Sequence, residues 1–380
     1  MKKIDVIIIG GGLAGLTAAI HLRIQGFEIQ VVEPNPYPKH KVCGEYISNE
    51  VKPYLTSLGI DVHEAGAKDI KRFQLTNTKN KSIEADLPLG GFGISRYTLD
   101  KLMADRAIEL GVEIIQDKVT NVTYGGNSFK VELKKSSSPL ISTLVVGAYG
   151  KRSALDKNLG RRFIKERTPW IGVKSHYEGT FPEDLVSLNH FEGGYCGLSN
   201  VENQIVNACY LIHQSTFQKY RNIEDVQNNV LSANPFMAEF YASSKMLFDK
   251  PLSISQIYFG KRDLVYNHIL MIGDTGGMIH PLAGNGMAIA IHSAKLASES
   301  VALYLEGKMS KEEMENKYSA ERKKAFAKRI RAGAYIQSLF EKQKLSHQLM
   351  QLVHYVPFIV PSIIRLTHGK PISTLDKSKN

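Results

Sequence analysis

The sequence predicts an α/β fold in which a Rossmann-like dinucleotide-binding domain is interrupted by a sheet-based substrate domain and followed by a helical C-terminal segment. Three observations support it: a βαβ pattern with a glycine-rich turn at the N-terminus, a strand-rich middle region, and a second strand–turn–helix pattern downstream. A chain of 380 residues is long enough for two domains. The predicted boundaries are 1–70, 95–160 and 262–310 for the first domain, 71–94 and 161–261 for the inserted domain, and 311–380 for the C-terminal segment.

The first element is a β-branched run from Ile4 to Ile9, which predicts a strand buried on both faces. Apolar residues recur at helical spacing from Leu16 to Gln25, and a second strand is predicted from Glu28 to Val32. Together these elements form one βαβ unit.

The turn inside this unit has the pattern G-x-G-x-x-G, directly between the strand and the helix. Glycines permit a tight turn and close approach of a pyrophosphate, and the helix N-terminus offers free N–H groups and a positive dipole end. An acid ends the second strand, where it can accept the ribose hydroxyl groups of FAD or NAD, and it disfavours the 2′-phosphate of NADP. The residues predicted to bind the cofactor here are Gly10, Gly12, Leu13, Ala14, Gly15 and Glu33.

Later elements follow from the same patterns. We predict a helix over Leu99–Leu110, strands over Val112–Ile115, Phe129–Leu133, Leu144–Gly147 and His268–Ile272, and helices over Gly286–Leu305 and Ser310–Lys344. The stretch from Arg162 to Ile257 is strand-rich and is predicted to form the substrate domain.

The segment from Met271 to Met287 resembles the second FAD motif of the class A flavoprotein monooxygenases and their geranylgeranyl reductase relatives. The resemblance implies that Asp274 accepts a hydrogen bond from a ribityl hydroxyl and that the following helix start faces the pyrimidine end of the flavin. The residues that carry it, all predicted to bind FAD, are Gly273, Asp274, Pro281, Gly284, Asn285, Gly286 and Met287.

Two further segments resemble motifs of this family. Ser95–Leu102 is similar to R-x-x-L-D-x-x-L, which implies that Arg96 lies over the cofactor. Lys41–Ser48 is similar to the K-x-C-G-E/D segment of the geranylgeranyl reductase branch, which implies that Cys43 and Gly44 pass beside the isoalloxazine.

The chain departs from the family at two positions. Tyr149 stands where the G-A-D-G-x-x-S motif has an aspartate linked to FAD and nicotinamide binding. Gly197 stands where the reductase branch has the tryptophan of G-G-Y-x-W-x-F-P, and the F-P pair is absent.

Three residues are candidates for catalysis. Cys43 is either a reactive thiol beside the flavin or a packed apolar residue. Glu45 either delivers a proton or solvates a loop, and His280 is either a proton-transfer group or a structural residue. No metal site and no covalent flavin attachment are predicted.

We therefore expect an oxidoreductase with non-covalent FAD, transiently reduced by NADPH or NADH. The first hypothesis is geranylgeranyl reductase-like C=C reduction, or a related redox step, on a hydrophobic polyketide- or isoprenoid-like molecule. The alternative is an NAD(P)H-dependent monooxygenase that hydroxylates an aromatic or polyketide substrate. A flavin halogenase lacks support because no W-x-W-x-I-P segment surrounds Trp170, and a non-catalytic flavin-binding protein is a further reading.

The net charge of +11 includes a basic cluster over residues 322–331, without any nucleic-acid-binding motif. The cluster is interpreted as a solvated helix face or, alternatively, a membrane-surface or partner patch. From Leu345 to Ile364 no charged residue occurs, and this stretch is either a cover for the substrate pocket or a peripheral membrane contact. The chain is expected to be cytoplasmic, with or without membrane association.

Overall fold

The computed structural model describes residues 4–341 and 359–375. It contains two mixed sheets. In chain order the strands are β1 (Ile4–Ile9), β2 (Ile29–Val32), β3 (Tyr46–Ser48), β4 (Lys68–Thr76), β5 (Ser82–Gly93), β6 (Glu113–Ile115), β7 (Val119–Gly125), β8 (Ser128–Leu133), β9 (Leu140–Gly147), β10 (Trp170–Glu178), β11 (Leu185–Phe191), β12 (Gly194–Asn200), β13 (Ile205–His213), β14 (Lys245–Met246), β15 (Leu252–Ser255), β16 (Val265–Tyr266) and β17 (Ile269–Met271).

Helices cover both sheets and form the C-terminal part. In chain order they are α1 (Leu13–Ile24), α2 (Lys52–Ser57), α3 (Arg96–Glu109), α4 (Ala154–Asn158), α5 (Gln214–Phe217), α6 (Ile223–Val226), α7 (Pro235–Ser243), α8 (Gly286–Leu305), α9 (Lys311–Glu341) and α10 (Val360–Thr367). Short 3-10 turns over Gly273–Gly276 and Pro281–Ala283 connect β17 to α8.

The first sheet is the dinucleotide-binding sheet. Its strand order is β16-β17-β9-β1-β2-β6, and β8 and β7 continue from β9. β1 pairs in parallel with both β2 and β9 and is buried on both faces, as its β-branched run predicts. Helix α1 packs Leu16, Ala19 and Ile20 into the core with no exposed surface. The predicted α/β fold with a Rossmann-like domain is confirmed.

The second sheet has the order β14-β10-β13-β12-β11-β4-β5-β3, with β15 also on β10. β3 and the start of β4 belong to it, although both lie within the range 1–70 predicted for the first domain. A three-residue strand such as β3 has too short a pattern to be recognised, and its pairing with β5 joins residues about 45 positions apart.

Helix α3 begins earlier than the sequence predicts. It starts at Arg96 rather than Leu99, because the Ser95 hydroxyl caps it by accepting a hydrogen bond from the Thr98 amide at 3.0 Å. The cap fixes Arg96 in the first turn of the helix.

The C-terminal helices pack on the body of the protein. α9 contacts α8, and α10 contacts both β5 and α9. The predicted solvated face over residues 322–331 is partly wrong: Arg322 is buried and donates to the Gly277 carbonyl at 3.1 Å, and Arg329 pairs with Glu50 at 3.1 Å. Residues 345–358 of the predicted apolar segment, and the C-terminal tail from residue 376, lie outside the described residues.

Over residues 4–341 and 359–375, no helix is both long enough and apolar enough to span a membrane.

Candidate functional site

A cavity of about 1250 Å³ is lined by residues of both sheets and of α8, α9 and α10. It exceeds the roughly 300–1,000 Å³ typical of drug-sized ligands. Most of the residues predicted from the sequence line it: Gly10, Gly12, Leu13, Ala14, Glu33, Cys43, Gly44, Glu45, Arg96, Gly273, Asp274, Pro281, Gly284, Gly286 and Met287. Gly15, His280 and Asn285 do not line it.

The glycine turn forms one wall of the cavity. Gly10 has φ +103°, and Gly12 precedes α1 without a side-chain cap and without an acid in the first turn. The first helical bond runs from the Leu16 amide to the Gly12 carbonyl, so the amides before Leu16 have no intrahelical acceptor. Gly15 packs against β1, since an added Cβ would overlap the Gly10 carbonyl oxygen. The turn therefore offers an anion site of the kind that binds pyrophosphate.

Glu33 lies beside this turn and is tied to it. One carboxylate oxygen accepts from the Gly11 amide at 2.9 Å, and the other accepts from the Asn35 amide and side chain at 3.1 and 2.8 Å. Each carboxylate oxygen has further lone pairs, so Glu33 can also accept from hydroxyl groups in the cavity. Its position fits a ribose contact.

Two cations flank the turn and share one acid. Lys41 Nζ lies 2.8 Å from Asp100, and Arg96 binds Asp100 through two bonds of 2.7 and 2.8 Å. Burial raises the pKa of Asp100, but the charges of Arg96 and Lys41 hold it below its ordinary value. An added Cβ at Gly12 would lie 3.5 Å from Arg96 and 3.8 Å from Lys41. One acid between two cations leaves a net positive charge at the phosphate position.

Sequence reasoning identified Arg96 but missed Lys41 and Asp100. Both stand inside motifs that were recognised, the K-x-C-G and R-x-x-L-D segments. The sequence does show that Lys41 in one motif and Asp100 in the other carry opposite charges. Only the fold shows that the two side chains are in contact.

Asp274 follows β17 at another wall of the cavity. Its carbonyl accepts from Arg262 at 3.0 Å, whereas its carboxylate has no hydrogen-bond partner among residues 4–341 and 359–375. Gly273, with φ +56°, is fixed by its amide, which donates to Ser293 Oγ at 2.9 Å. A half-buried carboxylate with free acceptor sites suits a ribityl hydroxyl.

The start of α8 lines the cavity near Asp274. Gly284 has φ +64°, and the first turn of α8 holds no acid and no side-chain cap. Its free N–H groups and dipole favour negative charge on a group placed before them. The Asn285 side chain points elsewhere, because it donates to Glu50 at 3.3 Å and to the Thr367 carbonyl at 2.9 Å. Any contact of Asn285 with a cofactor would therefore use its backbone.

The segment over residues 43–45 lies on the second sheet. Asn207 donates to the Cys43 carbonyl at 3.2 Å, and Ser199 donates to the Gly44 carbonyl at 3.4 Å. Cys43 and Gly44 both line the cavity, and Cys43 is a free, half-buried thiol. This placement fits a segment that passes beside a ring system.

Glu45 is fully buried, which corrects the interpretation that it solvates a loop. One oxygen accepts from Lys174 Nζ at 2.6 Å and the Arg96 amide at 2.7 Å, and the other lies 2.8 Å from His176 Nε2. Burial raises the pKa of Glu45, but the His176 hydrogen bond and the Lys174 charge hold it below its ordinary value. An ionised carboxylate held by these groups favours a positioning role over proton delivery.

His280 and Tyr149 form no hydrogen bond with the group of residues around Glu45. His280 stacks on Phe259 with ring centroids 4.1 Å apart, and burial lowers its pKa to about 4. Tyr149, which replaces the family aspartate, lies 3.6 Å from Met271 sulfur and 3.5 Å from Arg161. Gly150 still lines the cavity and donates its amide to Thr275 at 2.8 Å.

The far end of the cavity is apolar. Its walls come from the second sheet and the C-terminal helices, and include Phe73, Leu75, Leu188, Leu211, Ile336 and Ile364. Among the described residues, no Lys or Arg of the second sheet or of α9 and α10 lines the cavity. The cavity thus joins an anion-binding end to an apolar end.

These features fit FAD. Its phosphates match the two helix N-termini without acids and the two cations by the glycine turn. Its hydroxyl groups match the carboxylates of Glu33 and Asp274.

Comparison with known proteins gives the family. The family described as FAD binding domain matches residues 3–332, and the chain belongs to it. The resemblance inferred from the motifs is thereby confirmed.

Individual relatives are distant. The chain is 23% identical over 327 residues to a tryptophan 2-halogenase of Chondromyces crocatus, covering 80% of this chain and 62% of that protein. It is 21% identical over 318 residues to a menaquinone reductase of Mycobacterium tuberculosis, covering 78% and 76%. A geranylgeranyl bacteriochlorophyll reductase-like structure from Thermoplasma acidophilum aligns with TM-score 0.78 and 18% identity, covering 97% of each chain. The chain thus spans less than two thirds of the halogenase, and the structural likeness concerns the fold.

Proposed function

We propose that this member of the FAD-binding-domain family is an oxidoreductase that reduces a carbon–carbon double bond in an apolar, polyketide- or isoprenoid-like substrate. The observation that carries the proposal is the cavity itself, in which an anion-binding end continues into an apolar space. Among the described residues, no lysine or arginine of the second sheet, α9 or α10 lines that space. Reduction of an alkene needs apolar contacts, a donor of one hydride and a donor of one proton.

The chain's own residues hold the cofactor, which supplies two-electron transfer when bound. Lys41, Arg96 and the start of α1 would bind its phosphates, and Glu33 and Asp274 would accept from its hydroxyl groups. The start of α8 would favour negative charge on the pyrimidine end of a bound flavin.

The proton is proposed to come from Tyr46, which lies between Gly284, just before α8, and His368, just after α10. An added Cβ at Gly284 would lie 3.7 Å from its ring, and its hydroxyl is 3.5 Å from His368 Nε2. Burial lowers the pKa of His368 to about 4, which favours a neutral imidazole beside the phenol, and burial raises the pKa of Tyr46 above its ordinary value, so the phenol keeps its proton until the reaction needs it. Both residues line the cavity.

The reductant is proposed to be NADPH or NADH, bound transiently. Lys39, Lys118 and Arg152 line the cavity near the dinucleotide end and are partly or fully exposed, so they can meet an incoming phosphate.

Flavin-dependent oxygenation, either halogenation or hydroxylation, is the second candidate. The tryptophan 2-halogenase among the relatives favours it. The absence of a W-x-W-x-I-P segment around Trp170 argues against the halogenase form.

Rapid mixing separates the two candidates. The holoprotein is reduced without oxygen, mixed with oxygenated buffer containing bromide, and followed by absorbance. Direct return to oxidised flavin, without halogenated or hydroxylated product from an added aromatic or alkene probe, supports the reductase. A transient absorbing species together with such a product would support oxygenation instead.

A further inference from the structure

The second half of α9 carries a basic stripe. Lys324, Lys328 and Arg331 are exposed and recur at helical spacing, and Tyr335 continues the same face. None of the three cations forms an ion pair with an acid in the part of the chain that the structure describes. They remain available for an external anion.

The stripe leads to a mouth of the apolar cavity. Tyr335 on α9 and Leu366 on α10 are 67% and 59% exposed, and both also line the cavity. Exposed Arg365 and Lys370 flank Leu366. Large apolar side chains therefore stand at an opening whose surroundings are basic.

This surface is firmly attached to the body of the protein. Arg329 of α9 pairs with buried Glu50 at 3.1 Å, and the Glu50 carbonyl accepts from the Ile372 amide at 2.9 Å. Asn285 joins the same group by donating to Thr367. These contacts hold α9 and α10 against the body of the protein.

The charge of the region is strongly one-sided. Between Arg322 and Leu375 the described residues include six exposed cations, Lys323, Lys324, Lys328, Arg331, Arg365 and Lys370, and the same stretch of sequence contains a single acid, Glu341. Such a surface repels a second copy of itself and attracts a polyanion. Apolar side chains at an apolar opening favour a bilayer over a nucleic acid, because nucleic acid offers no apolar interior.

We propose that the surface formed by the second half of α9 and α10 docks on an anionic phospholipid bilayer. Tyr335 lies at the headgroup level, where tyrosine is favoured, and Leu366 reaches the acyl boundary. The cations contact the anionic headgroups. The cavity then opens toward the acyl chains, so an apolar substrate enters from the membrane whichever reaction the flavin performs.

Vesicle sedimentation of the full-length holoprotein tests this proposal. We expect binding to phosphatidylcholine–phosphatidylglycerol vesicles that weakens as salt rises, and little binding to phosphatidylcholine alone. Each cation near an anionic surface is worth about fivefold in partitioning, so Lys324→Gln/Lys328→Gln/Arg331→Gln should bind about 100-fold more weakly. Lys130→Gln/Lys134→Gln/Lys135→Gln, which removes three exposed charges elsewhere, should bind like the wild type.

A second pair of variants tests the apolar contact. Tyr335→Ser/Leu366→Ser should lose vesicle binding while keeping the FAD-to-protein ratio. Its control, Ile108→Ser/Ile141→Ser, removes side chains that are 56% and 54% exposed and should keep binding. A wild-type protein that stays in the supernatant with both kinds of vesicle, or control variants that lose binding as much as the test variants, would overturn the proposal. Neither result bears on the flavin chemistry, which the rapid-mixing experiment tests separately.

Discussion

Glu45 determines where the segment beside the flavin site lies. Its backbone has φ +54°, a conformation unfavourable for a residue with a side chain, and it persists because three groups hold its carboxylate. Lys174 and His176 belong to β10 of the second sheet, whereas the Arg96 amide belongs to α3. One buried acid therefore fixes Cys43 and Gly44 between the two parts of the molecule.

Glu45→Gln should destabilise the protein strongly. The amide keeps the shape of the side chain but leaves the Lys174 charge buried without a counter-charge, and breaking a buried pair in this way costs about 3–5 kcal/mol. Urea unfolding of the holoprotein at neutral pH measures the loss. As a control, Glu183→Gln removes an exposed partner 3.7 Å from Lys68 and should leave the unfolding midpoint unchanged.

For the same substitution, we also predict that the loss of stability depends on pH. Because the folded-state pKa of Glu45 is lower than its unfolded value of about 4.3, its contribution is present above that pH and is lost as pH falls through the folded-state pKa. The stability difference between wild type and Glu45→Gln should therefore shrink on acidification. A difference that stays constant, or grows, would contradict the buried ion pair.

Residues that act through local motifs could be predicted from the sequence. Gly12, Arg96 and Asp274 each stand in a short pattern whose backbone context determines the role. Lys174 and His176 could not, because they meet an acid about 130 positions away through the register of β10 in the sheet. In the sequence they are merely alternate polar residues of a strand.

At the scale of elements, the face of the second sheet toward the cavity consists of rows of residues that are paired across neighbouring strands. Cys209 of β13 is registered with Gly197 of β12 and with Lys174 of β10. The next row contains Ser199 and Asn207, which bind the backbone of residues 43 and 44. Since strand residues two apart share a face, one row holds the segment and the other borders the open space beside it.

Gly197 keeps part of that space open. An added Cβ there would lie 3.7 Å from the nearest atom, the Cys209 carbonyl oxygen, and the residue lines the cavity. Gly197→Leu should fold and bind FAD normally but weaken binding of a bulky apolar ligand such as farnesol by about tenfold or more, because the side chain occupies the ligand's volume. Titration followed by the flavin spectrum measures the affinity.

Gly197→Ala is the matched control for this substitution, since its methyl group makes only ordinary contacts. It should bind the ligand almost as the wild type does. Equal affinities for the alanine and leucine variants would show that the ligand does not use the space beside β12.

Elements with a strong hydrophobic periodicity could be predicted from the sequence. Short elements, and the start of an element that depends on a cap, could be predicted less well. The β1–α1–β2 unit and α8 agree with the sequence patterns to within a few residues. β3 was missed because three residues carry no period, and α3 starts one turn early because Ser95 caps it. The ends of elements depend on single hydrogen bonds that composition does not reveal.

At the scale of the whole molecule, the proposed function depends on one cavity that residues of both sheets line. The first sheet and its helix starts supply the anion-binding end, and the second sheet with α9 and α10 supplies the apolar end. The sequence indicated both domains and offered the C-terminal apolar stretch as a cover for the pocket, but it did not indicate that α9 contributes to the apolar wall. That contact depends on Glu50 and Asn285, which bind α9 and α10 from distant positions in the chain.

The most direct test of the central claim is single-turnover oxidation of the reduced holoprotein in the absence of oxygen, with polyprenyl alcohols and polyunsaturated fatty acids as probes. We predict that an apolar alkene reoxidises the flavin and yields one saturated bond per flavin, and that Tyr46→Phe slows this step without lowering FAD content. If no alkene reoxidises the flavin, while oxygen with bromide or an aromatic probe does so and yields halogenated or hydroxylated product, the reductase assignment is contradicted.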